Sequence, residues 1–457
     1  MAGKWKLAVA ALAMMVCGTI FWLKFFPPLL LRVAAGYSSK IVCTNVFMTG
    51  RDAAEVLNDD VQAPGHPLLK LMQVDVDREK GLIRANLFGL FGRGLAVYRP
   101  GTGCAALPDG DIETAKKYQF TPTPIPRPPD GLFWPLGSLA QTNRQIEQII
   151  QNDELAGPGA RGIVVIHENQ LVAQRYGKGF NERTPLLGWS MTKSVTAILV
   201  GMQVKSGRLR LDQAGFWPPS NPADERQKIT LSDLLSMTSG LHFNEDYGDV
   251  SDVTRMLYAE GDMAAFVRSQ PLQHPPGSSW SYSTGTSVLL SQLWQSAAGR
   301  DALSVPRRQL FTPLGMSSAF MEADQHGTIV GGSYMYATAH DWGRIGQFLL
   351  QDGSWNGRQL LGQDYVAMMK RPAAASGGIY SQGQLWLEGP FGDNPHGALP
   401  GPSFQLPADT FWLQGHDGQS IAIVPSKKLV VVRLGLTPEK LHYKPQAMLA
   451  EILKTLP

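Results

Sequence analysis

The first 35 residues have the pattern of a membrane signal. Leu7–Leu23 is a run of 17 residues without charge, and Lys4 and Lys6 precede it. As a helix this run spans about 26 Å, slightly less than the roughly 30 Å hydrocarbon core of a bilayer, and the apolar residues as far as Leu31 would extend it. We expect an inner-membrane anchor at 1–35, with the remaining chain on the periplasmic side because the positive flank stays inside. A signal peptide cleaved near Val33–Ala35, and hence a secreted protein, is the alternative.

Short strands are predicted in the region that follows, 36–120. The segments "LIRANLFGL" and "LAVYRP" have the composition of strands and flank the glycine-rich turn "GLFGRG". After them comes "TPTPIPRPPDGLFWP", whose six prolines exclude a helix or a central strand. Residues 121–137 are therefore predicted to be a linker or an extended wrap, which separates an N-terminal region of unknown role from a domain at 138–457.

The pattern of this last domain is more regular. "NRQIEQIIQNDEL" and "PQAMLAEILKTL" have helical periodicity, while "GIVVIHENQLVAQRYG" and "SIAIVPSKKLVVVRLG" are each two strand-like runs around a polar turn. Between them, "TLSDLLSMTSGL" predicts a helix that starts at Thr230 or Ser232 and stops at Gly240. Strands near both ends with helices between them predict an α+β fold, in which helices flank an antiparallel sheet and a helical region is inserted.

Composition and charge narrow the class of protein. Hydrophobic residues make up 44% of the chain and charged residues 17%, which is enough apolar material for a sizeable core. The net charge is +3, and the four basic residues of 1–35 account for all of it. Because phosphate binding needs clustered basic side chains, the nearly neutral remainder argues against nucleic acid as a partner.

Three cysteines occur in the chain. Cys17 lies in the apolar run, whereas Cys43 and Cys104 follow it. If the body is exported, these two face an oxidising compartment, where a pair of cysteines tends to bridge. We predict a Cys43–Cys104 disulfide, with two separate buried thiols as the alternative.

The stretch "GWSMTKSVT" holds a serine and a lysine at the spacing of a nucleophile and its base. Ser190 and Lys193 are three residues apart, so in a helix they share one face. At a helix start the serine hydroxyl reaches the amine, and the serine's own N–H is free to hold an oxyanion. The lysine must be buried, because only its neutral form accepts a proton.

A simple N-cap serine is the alternative, since the spacing alone recurs by chance. The run "SVTAILVGMQV" that follows is apolar nearly all round, which predicts a buried helix and favours the catalytic interpretation. No G-x-S-x-G, H-E-x-x-H or paired C-x-x-C occurs in the sequence, and the nine histidines are not spaced as metal ligands. We therefore expect neither a metal nor a cofactor.

From about residue 140 to 455 the chain resembles the serine β-lactamase and penicillin-binding-protein superfamily. "SMTK" is similar to its nucleophile motif, and the segments "LRLD", "ITLSDLLSMTSGL", "PPGSSWSYSTGT", "LFTPLGM", "GGSYMYATAHDWGRIGQFLL" and "GHDG" follow in the order found in class C-like members. The resemblance implies the β-lactamase/transpeptidase fold for this part of the chain and does not cover 36–120.

The resemblance also implies roles for particular residues. Ser190 would be acylated, and Lys193 would accept or relay its proton. Tyr282 in "YST", at the place of the tyrosine in Tyr-x-Asn, would act first as general base and then as the acid for the leaving group. His416–Gly418 takes the place of Lys-Thr-Gly and would make His416 part of the catalytic set, although it is also a natural turn histidine. The N–H groups of Ser190 and Gln419 would form the oxyanion hole.

Two departures from the lactamase pattern affect the expected substrate. Thr284 stands where lactamases usually have asparagine, and His416 stands where a lysine usually binds the β-lactam carboxylate. These residues bring the chain closer to the esterase and amide-hydrolase branch, which includes 6-aminohexanoate-dimer hydrolases. Tyr247, Thr284 and Gly418 are the predicted substrate contacts.

We therefore predict an exported serine hydrolase that cleaves an ester or amide bond of a small molecule. A β-lactamase or D-Ala peptide hydrolase is one alternative. A membrane-tethered protein that binds cell-wall peptide without catalysis is another, although such a protein would need none of Ser190, Lys193 and Tyr282.

Overall fold

The computed structural model describes residues 2–217, 224–390 and 404–457. The N-terminal part consists of α1 (Ala2–Phe25), α2 (Leu29–Phe47), α3 (Ala53–Val56), β1 (Met72–Asp77), β2 (Leu82–Leu87), β3 (Phe91–Arg99), β4 (Gly103–Ala106) and α4 (Ile112–Lys116). The four strands form one antiparallel sheet in the order β1-β2-β3-β4. The two strands expected in this region are β2 and β3.

Helix α1 does not continue into the apolar residues up to Leu31. Pro27 and Pro28 interrupt it, because proline lacks the N–H that a helix interior needs, and α2 begins at Leu29. Leu31 is 4% exposed and belongs to the protein core. The expected extension of the apolar run is confirmed as far as Phe25 and is wrong for Leu29–Leu31. The segment Val33–Ala35, named as an alternative cleavage site, lies within buried α2.

Helix α2 packs closely on the sheet and on the rest of the chain. A β-carbon on Gly94 of β3 would lie 2.1 Å from the carbonyl oxygen of Ala35, so only glycine permits this approach of strand and helix. Lys40 of α2 forms a buried ion pair with Glu322, at 2.5 Å, and Glu322 also accepts the backbone N–H of Cys104 at 2.7 Å. These contacts attach the N-terminal region firmly to the C-terminal domain.

Cys43 in α2 and Cys104 in β4 are joined by a disulfide, with their Cα atoms 6.0 Å apart. The bond closes a loop across a sequence separation of 61 residues. Chain-entropy arguments for a loop of this size give a stabilisation of about 4 kcal/mol, because the unfolded chain loses freedom. We expect the double substitution of both cysteines by alanine to lower the free energy of unfolding by about 2–4 kcal/mol in denaturant titrations. An unchanged midpoint would contradict this expectation.

The rest of the chain supplies α5 to α15 and β5 to β14. Their bounds are α5 (Arg144–Gln151), α6 (Asp153–Ala156), β5 (Ala160–His167), β6 (Gln170–Tyr176), β7 (Leu186–Leu187), α7 (Thr192–Lys205), α8 (Leu231–Leu235), α9 (Asp252–Ala259), α10 (Met263–Arg268), α11 (Thr284–Ala298), α12 (Thr312–Leu314), β8 (Phe320–Met321), β9 (Met335–Ala337), α13 (Ala339–Leu350), β10 (Ser354–Trp355), β11 (Arg358–Gln359), α14 (Gln363–Met369), β12 (Phe411–Gly415), β13 (Gln419–Val424), β14 (Leu429–Gly435) and α15 (Gln446–Lys454).

A five-stranded antiparallel sheet joins the two ends of this domain. Its order is β12-β13-β14-β5-β6, so strands from near residue 160 pair with strands from near residue 430. The turn of the β5–β6 hairpin is Glu168–Asn169, and both residues have positive φ, as a two-residue hairpin turn requires. The predicted α+β architecture, with helices between the two ends of the sheet, is confirmed.

One predicted helix is shorter than expected. Thr230 caps α8 through a reciprocal capping box with Asp233, as the sequence suggests. The helix ends at Leu235 rather than near Gly240, and Met237 two residues later has a φ of 59°. The chain therefore leaves the helix one turn before the glycine.

The proline-rich stretch is an extended segment that contacts the protein body. Ile125 and Trp134 are buried, and Arg307 donates to the carbonyl oxygen of Thr123 at 2.6 Å. The segment therefore follows the protein surface as an extended wrap and is not a free linker.

Candidate active site

Ser190 lies in a short 3-10 turn, Trp189–Met191, directly before α7. Trp189 has a φ of 47°, a left-handed conformation that costs a bulky residue energy and is often found at functional sites. A β-carbon on Gly188 would lie 2.1 Å from the Trp342 ring, so the chain needs glycine here to enter the turn. Helix α7 is buried along nearly its whole length, and this burial fixes Ser190 at its start.

Lys193 is buried directly behind the serine. It is 1% exposed, and its Nζ donates to Ser190 Oγ at 2.8 Å, to Thr284 Oγ1 at 2.9 Å and to the carbonyl oxygen of Gly332 at 2.9 Å. Burial lowers the pKa of Lys193 to about 8, while the charge of Glu245 acts in the opposite direction. The lysine can therefore reach the neutral form that a proton acceptor requires.

Glu245 is a site residue that the sequence analysis missed. Its carboxylate accepts the backbone N–H of Thr284 at 2.7 Å and also the Thr284 hydroxyl. Burial raises the pKa of Glu245, and the nearby Lys193 opposes this shift. Because the Thr284 hydroxyl proton goes to Glu245, its oxygen faces the Lys193 amine, and the three residues form one chain of hydrogen bonds.

Thr284 was predicted to contact the substrate, and the structure corrects this. Its side chain is completely buried and its hydroxyl is used by Lys193 and Glu245. It does not line the cavity above Ser190. Threonine is short enough to lie beneath the cavity floor, where it joins the lysine to the carboxylate.

Tyr282 lines the cavity, and its ring lies close to Lys193. The Lys193 ammonium lies 4.7 Å from the centre of the Tyr282 ring. Burial, and after it the charge of Glu245, raise the pKa of Tyr282, while interactions of its hydroxyl with Ser190 and Trp386 act against this shift. The phenol therefore keeps its proton at neutral pH. A protonated phenol can serve as the acid for the leaving group, and the role of Tyr282 as general base stays a prediction.

His416 begins the turn between β12 and β13. Its imidazole stacks on Tyr247 with ring centres 4.8 Å apart and meets Trp189 edge-on at 5.6 Å. Its Nε2 lies 3.5 Å from Asp417 Oδ1, and Asp417 has a left-handed φ of 57°. His416 is thus both a turn residue and part of the cavity wall.

Gln419 follows this turn at the start of β13. Its side-chain amide donates to the carbonyl oxygens of His416 at 3.1 Å and Asp417 at 3.2 Å, which holds the turn in place. Gly418 has a φ of 80°, and its carbonyl oxygen accepts a hydrogen bond from Arg433 at 2.9 Å. The assignment of the Gln419 N–H to the oxyanion hole remains a prediction.

A cavity of about 600 Å³ lies above these residues, within the usual range for a small-molecule site. Ser190, Tyr282, His416, Gly418 and Gln419 line it, together with Tyr247, the predicted substrate contact. Most of the residues predicted from the sequence therefore meet around one cavity. Glu245 also lines the cavity, and its place two positions before Tyr247 in "NEDYGD" is the sequence signal for it.

Because Lys193 is buried, we expect kcat/KM to depend on pH in a specific way. If neutral Lys193 accepts the serine proton, kcat/KM should rise about tenfold per pH unit and level off near pH 8. Because Glu245 raises the pKa of Lys193, the substitution Glu245→Gln should move the midpoint of the profile to lower pH. Steady-state rates between pH 5 and 9 with an uncharged ester test both points. A profile that is flat, or that falls with pH, would contradict the assignment of Lys193.

The chain matches known proteins in sequence and in fold. A family model described as Beta-lactamase matches residues 146–442. Over 179 residues the chain is 25% identical to an unguisins hydrolase of Aspergillus violaceofuscus, and this match spans 35% of the chain and 31% of that relative.

Solved structures share the fold at low sequence identity. A Bacillus anthracis protein named as a 6-aminohexanoate-dimer hydrolase superposes with a TM-score of 0.58 and 20% identity, over 77% of this chain and 96% of that one. A penicillin binding protein from Bacillus halodurans superposes with a TM-score of 0.51 and 17% identity, over 68% of this chain and 99% of that one. A family VIII carboxylesterase superposes with a TM-score of 0.51 and 14% identity, over 69% of this chain and 98% of that one.

Proposed function

Because this chain belongs to the β-lactamase family, we propose that it is a serine hydrolase that cleaves an ester or an amide through an acyl-enzyme on Ser190. The observation that carries the proposal is the 2.8 Å hydrogen bond between Ser190 Oγ and the buried amine of Lys193, at the floor of an open cavity. A serine without such an acceptor is a weak nucleophile, and a lysine in water is charged and accepts no proton.

In acylation, Ser190 Oγ attacks the carbonyl carbon of the substrate while neutral Lys193 takes the hydroxyl proton. The carbonyl π electrons move to its oxygen, and the N–H groups of Ser190 and Gln419 hold the resulting oxyanion. When the tetrahedral intermediate collapses, the bond to the leaving group breaks. Tyr282, which keeps its proton at neutral pH, donates that proton to the departing oxygen or nitrogen, and the proton on Lys193 then returns to Tyr282.

In deacylation, a water molecule attacks the ester carbon of the acyl-enzyme. Its proton passes to the Lys193–Tyr282 pair, and Ser190 Oγ leaves with a proton to restore the free hydroxyl. Thr284 and Glu245 form no bond to the substrate in this scheme. They hold the lysine amine toward the serine and lower the cost of the transient charge on it.

The test is to trap the acyl group. The full chain in detergent is mixed with p-nitrophenyl acetate and quenched in acid during turnover, and its intact mass and peptide masses are measured. We expect a mass increase of one acetyl group on the peptide that contains Ser190. An acetyl group found only on other peptides, or p-nitrophenol release without any adduct, would count against the acyl-enzyme.

The proposed substrate class rests on His416, which stands where the lactamase pattern has a lysine. His416 stacks on Tyr247 and lines the cavity where the lactamase pattern has an ammonium group. We therefore propose that the substrates are simple esters and amides rather than β-lactams. A chromogenic cephalosporin and an aminohexanoate dimer, assayed beside the ester, test this order. Faster turnover of the cephalosporin would reverse it.

We also propose that the protein is anchored in the membrane with its catalytic domain exported. Among the residues described, one helix, Lys4–Phe25, is long and apolar enough to cross a membrane, with a mean hydropathy of 1.9 and no buried residues, although signal sequences share these properties. The disulfide between Cys43 and Cys104 supports an oxidising compartment. A C-terminal reporter that is active only after export should be active, and the membrane fraction should contain it.

A further inference from the structure

A separate cavity, of about 470 Å³, lies where α1 ends and α2 begins, and we call it the junction cavity. Its lining includes Lys24, Phe25 and Phe26 at the end of α1, together with Gly92 and Gly94 of β3. Among the described residues it shares no lining residue with the catalytic cavity. The proposed catalytic mechanism therefore does not account for it.

The place of the junction cavity in the chain sets its depth if α1 spans a membrane. The 22 residues of Lys4–Phe25 extend over about 33 Å as a helix, against roughly 30 Å for the hydrocarbon core of a bilayer. The end of this helix, with Lys24 in its last turn, then lies at the level of the lipid headgroups. The junction cavity, which these residues line, lies at the same level.

Three cationic side chains, and no acidic one from the described residues, line the junction cavity. The cations are Lys24, Arg32 and Arg93, and the Arg93 guanidinium lies 5.8 Å from the centre of the Phe25 ring. Within the described parts of the chain, none of the three forms an ion pair with a carboxylate. Positive charges without a counter-charge repel one another, and an anion between them relieves this repulsion. A phosphate group suits them, because its oxygens accept hydrogen bonds from ammonium and guanidinium groups alike.

The turn between β2 and β3 carries exposed apolar side chains close to the end of α1. Phe88 is 54% exposed and Leu90 is 64% exposed. The Phe88 N–H donates to the carbonyl oxygen of Leu71 at 3.3 Å, and the Leu71 side chain is exposed as well. Arg93 follows this turn in β3 and contacts Phe25 of α1, which places the turn beside the candidate span. Neighbouring apolar residues of this size indicate contact with a membrane or with another protein.

We propose that this face of the N-terminal region rests on the bilayer, with the phosphate of an anionic phospholipid in the junction cavity and Phe88 and Leu90 among the acyl chains. The proposal rests on the proposed membrane anchor. A bilayer accounts for the apolar turn and the cations together, because acyl chains and headgroups lie side by side at this depth. Since the Lys40–Glu322 ion pair attaches this region to the catalytic domain, the contact also sets the orientation of the catalytic cavity relative to the membrane.

The first test measures the depth of the turn by spin labelling. Leu90→Cys is made in a Cys17→Ser background, because Cys17 is free whereas the other two cysteines form the disulfide. The labelled full chain is reconstituted into vesicles of phosphatidylcholine and phosphatidylglycerol in equal parts. The label at 90 should collide readily with dissolved oxygen, which partitions into lipid, and should lose its collisions with a water-soluble nickel complex. Leu441→Cys is the matched control, because Leu441 is an exposed leucine whose neighbours Lys440 and His442 are exposed too, and its label should stay accessible to nickel.

A label at 90 that the nickel complex reaches as readily as the control would overturn the proposal, as would two labels equally buried in lipid. Extraction of the vesicles with alkaline carbonate separates this result from the proposed anchor. Protein that stays in the membrane while the label at 90 is in water keeps the anchor and removes only the present proposal. Protein that carbonate releases refutes both. Neither measurement depends on ester or amide hydrolysis.

The second test identifies the lipid. The full chain in detergent is titrated with dihexanoyl phosphatidylglycerol or dihexanoyl phosphatidylcholine, and bound lipid is counted by native mass spectrometry. The anionic lipid should bind at least about tenfold more tightly, because it carries the net negative charge that the zwitterionic lipid lacks. The double substitution Arg32→Gln and Arg93→Gln should weaken its binding about 25-fold, at about fivefold for each basic residue.

Arg84→Gln is the control for the arginine substitutions. Arg84 is an exposed arginine of β2 that pairs with Asp75 at 3.5 Å and does not line the junction cavity, so its loss should leave lipid binding unchanged. Equal binding of the two lipids, or an unchanged affinity in the double variant, would contradict the proposal. Inorganic phosphate that displaces the lipid at an equal concentration would also overturn it, because the cavity would then be a site for a free anion.

Discussion

Ser190→Ala is expected to lower kcat for ester hydrolysis by at least about 10⁴-fold, because alanine has no oxygen to carry the acyl group. The residual rate should be that of an open cavity with an oxyanion hole, and it should no longer depend on Lys193. The acetyl adduct should disappear from the intact mass. The fold should persist, since the hydroxyl points into the cavity and the apolar face of α7 is unchanged.

Ser281→Ala is the control for this experiment. Ser281 is an exposed serine beside Tyr282, and its loss should leave kcat within about twofold. A Ser190→Ala enzyme that keeps more than a few per cent of the wild-type rate would show that another group attacks the substrate. It would also make the non-catalytic binding protein, or a different nucleophile, the better account of the site.

Lys193→Met is expected to lower kcat/KM by about 10³- to 10⁴-fold and to change stability little. Methionine has a similar length but accepts no proton, so Ser190 loses its base. The substitution removes three hydrogen bonds, including the one to the Gly332 carbonyl. It also removes the cost of keeping an amine away from water, which for a buried charge is several kcal/mol.

Glu245 is not left as an unpaired buried charge in this variant. Burial already raises its pKa, and without Lys193 it keeps its proton more readily. We therefore expect a Tm within about 5 °C of the wild type. Lys205→Met, at the exposed end of the same helix, is the control and should retain full activity. A collapse in stability together with activity would mean that Lys193 has a structural role rather than that of a base.

The residues that belong to local patterns were predictable from the sequence. Both hairpins, the capped start of α8 and the strand–helix–strand order of the last domain follow from periodicity and turn residues that lie within a few positions of one another. Ser190 and Lys193 were found for the same reason, since their spacing and the apolar run after them are contiguous. The end of α8 at Leu235 was not predictable in this way. The backbone turns to a left-handed conformation at Met237, before the glycine is reached.

The N-terminal region shows where local patterns were insufficient. Its apolar residues Leu29–Leu31 continue the hydropathy of the first helix, and hydropathy alone does not distinguish a lipid environment from a protein core. The prolines at 27–28 separate the two, and the packing of α2 on β3 decides which residues are buried.

The sequence by itself indicated the class of protein and the residues of the candidate site: a serine with a lysine one helical turn away, a tyrosine to which the family resemblance points, and a sheet made from both ends of the domain. Only the tertiary structure decided that Glu245 joins the site and that Thr284 lies beneath the cavity rather than lining it. The reason is physical. Spacing along a helix fixes which neighbours can meet within one segment, whereas burial, pKa and cavity shape depend on contacts between residues as far apart as Lys193 and Thr284.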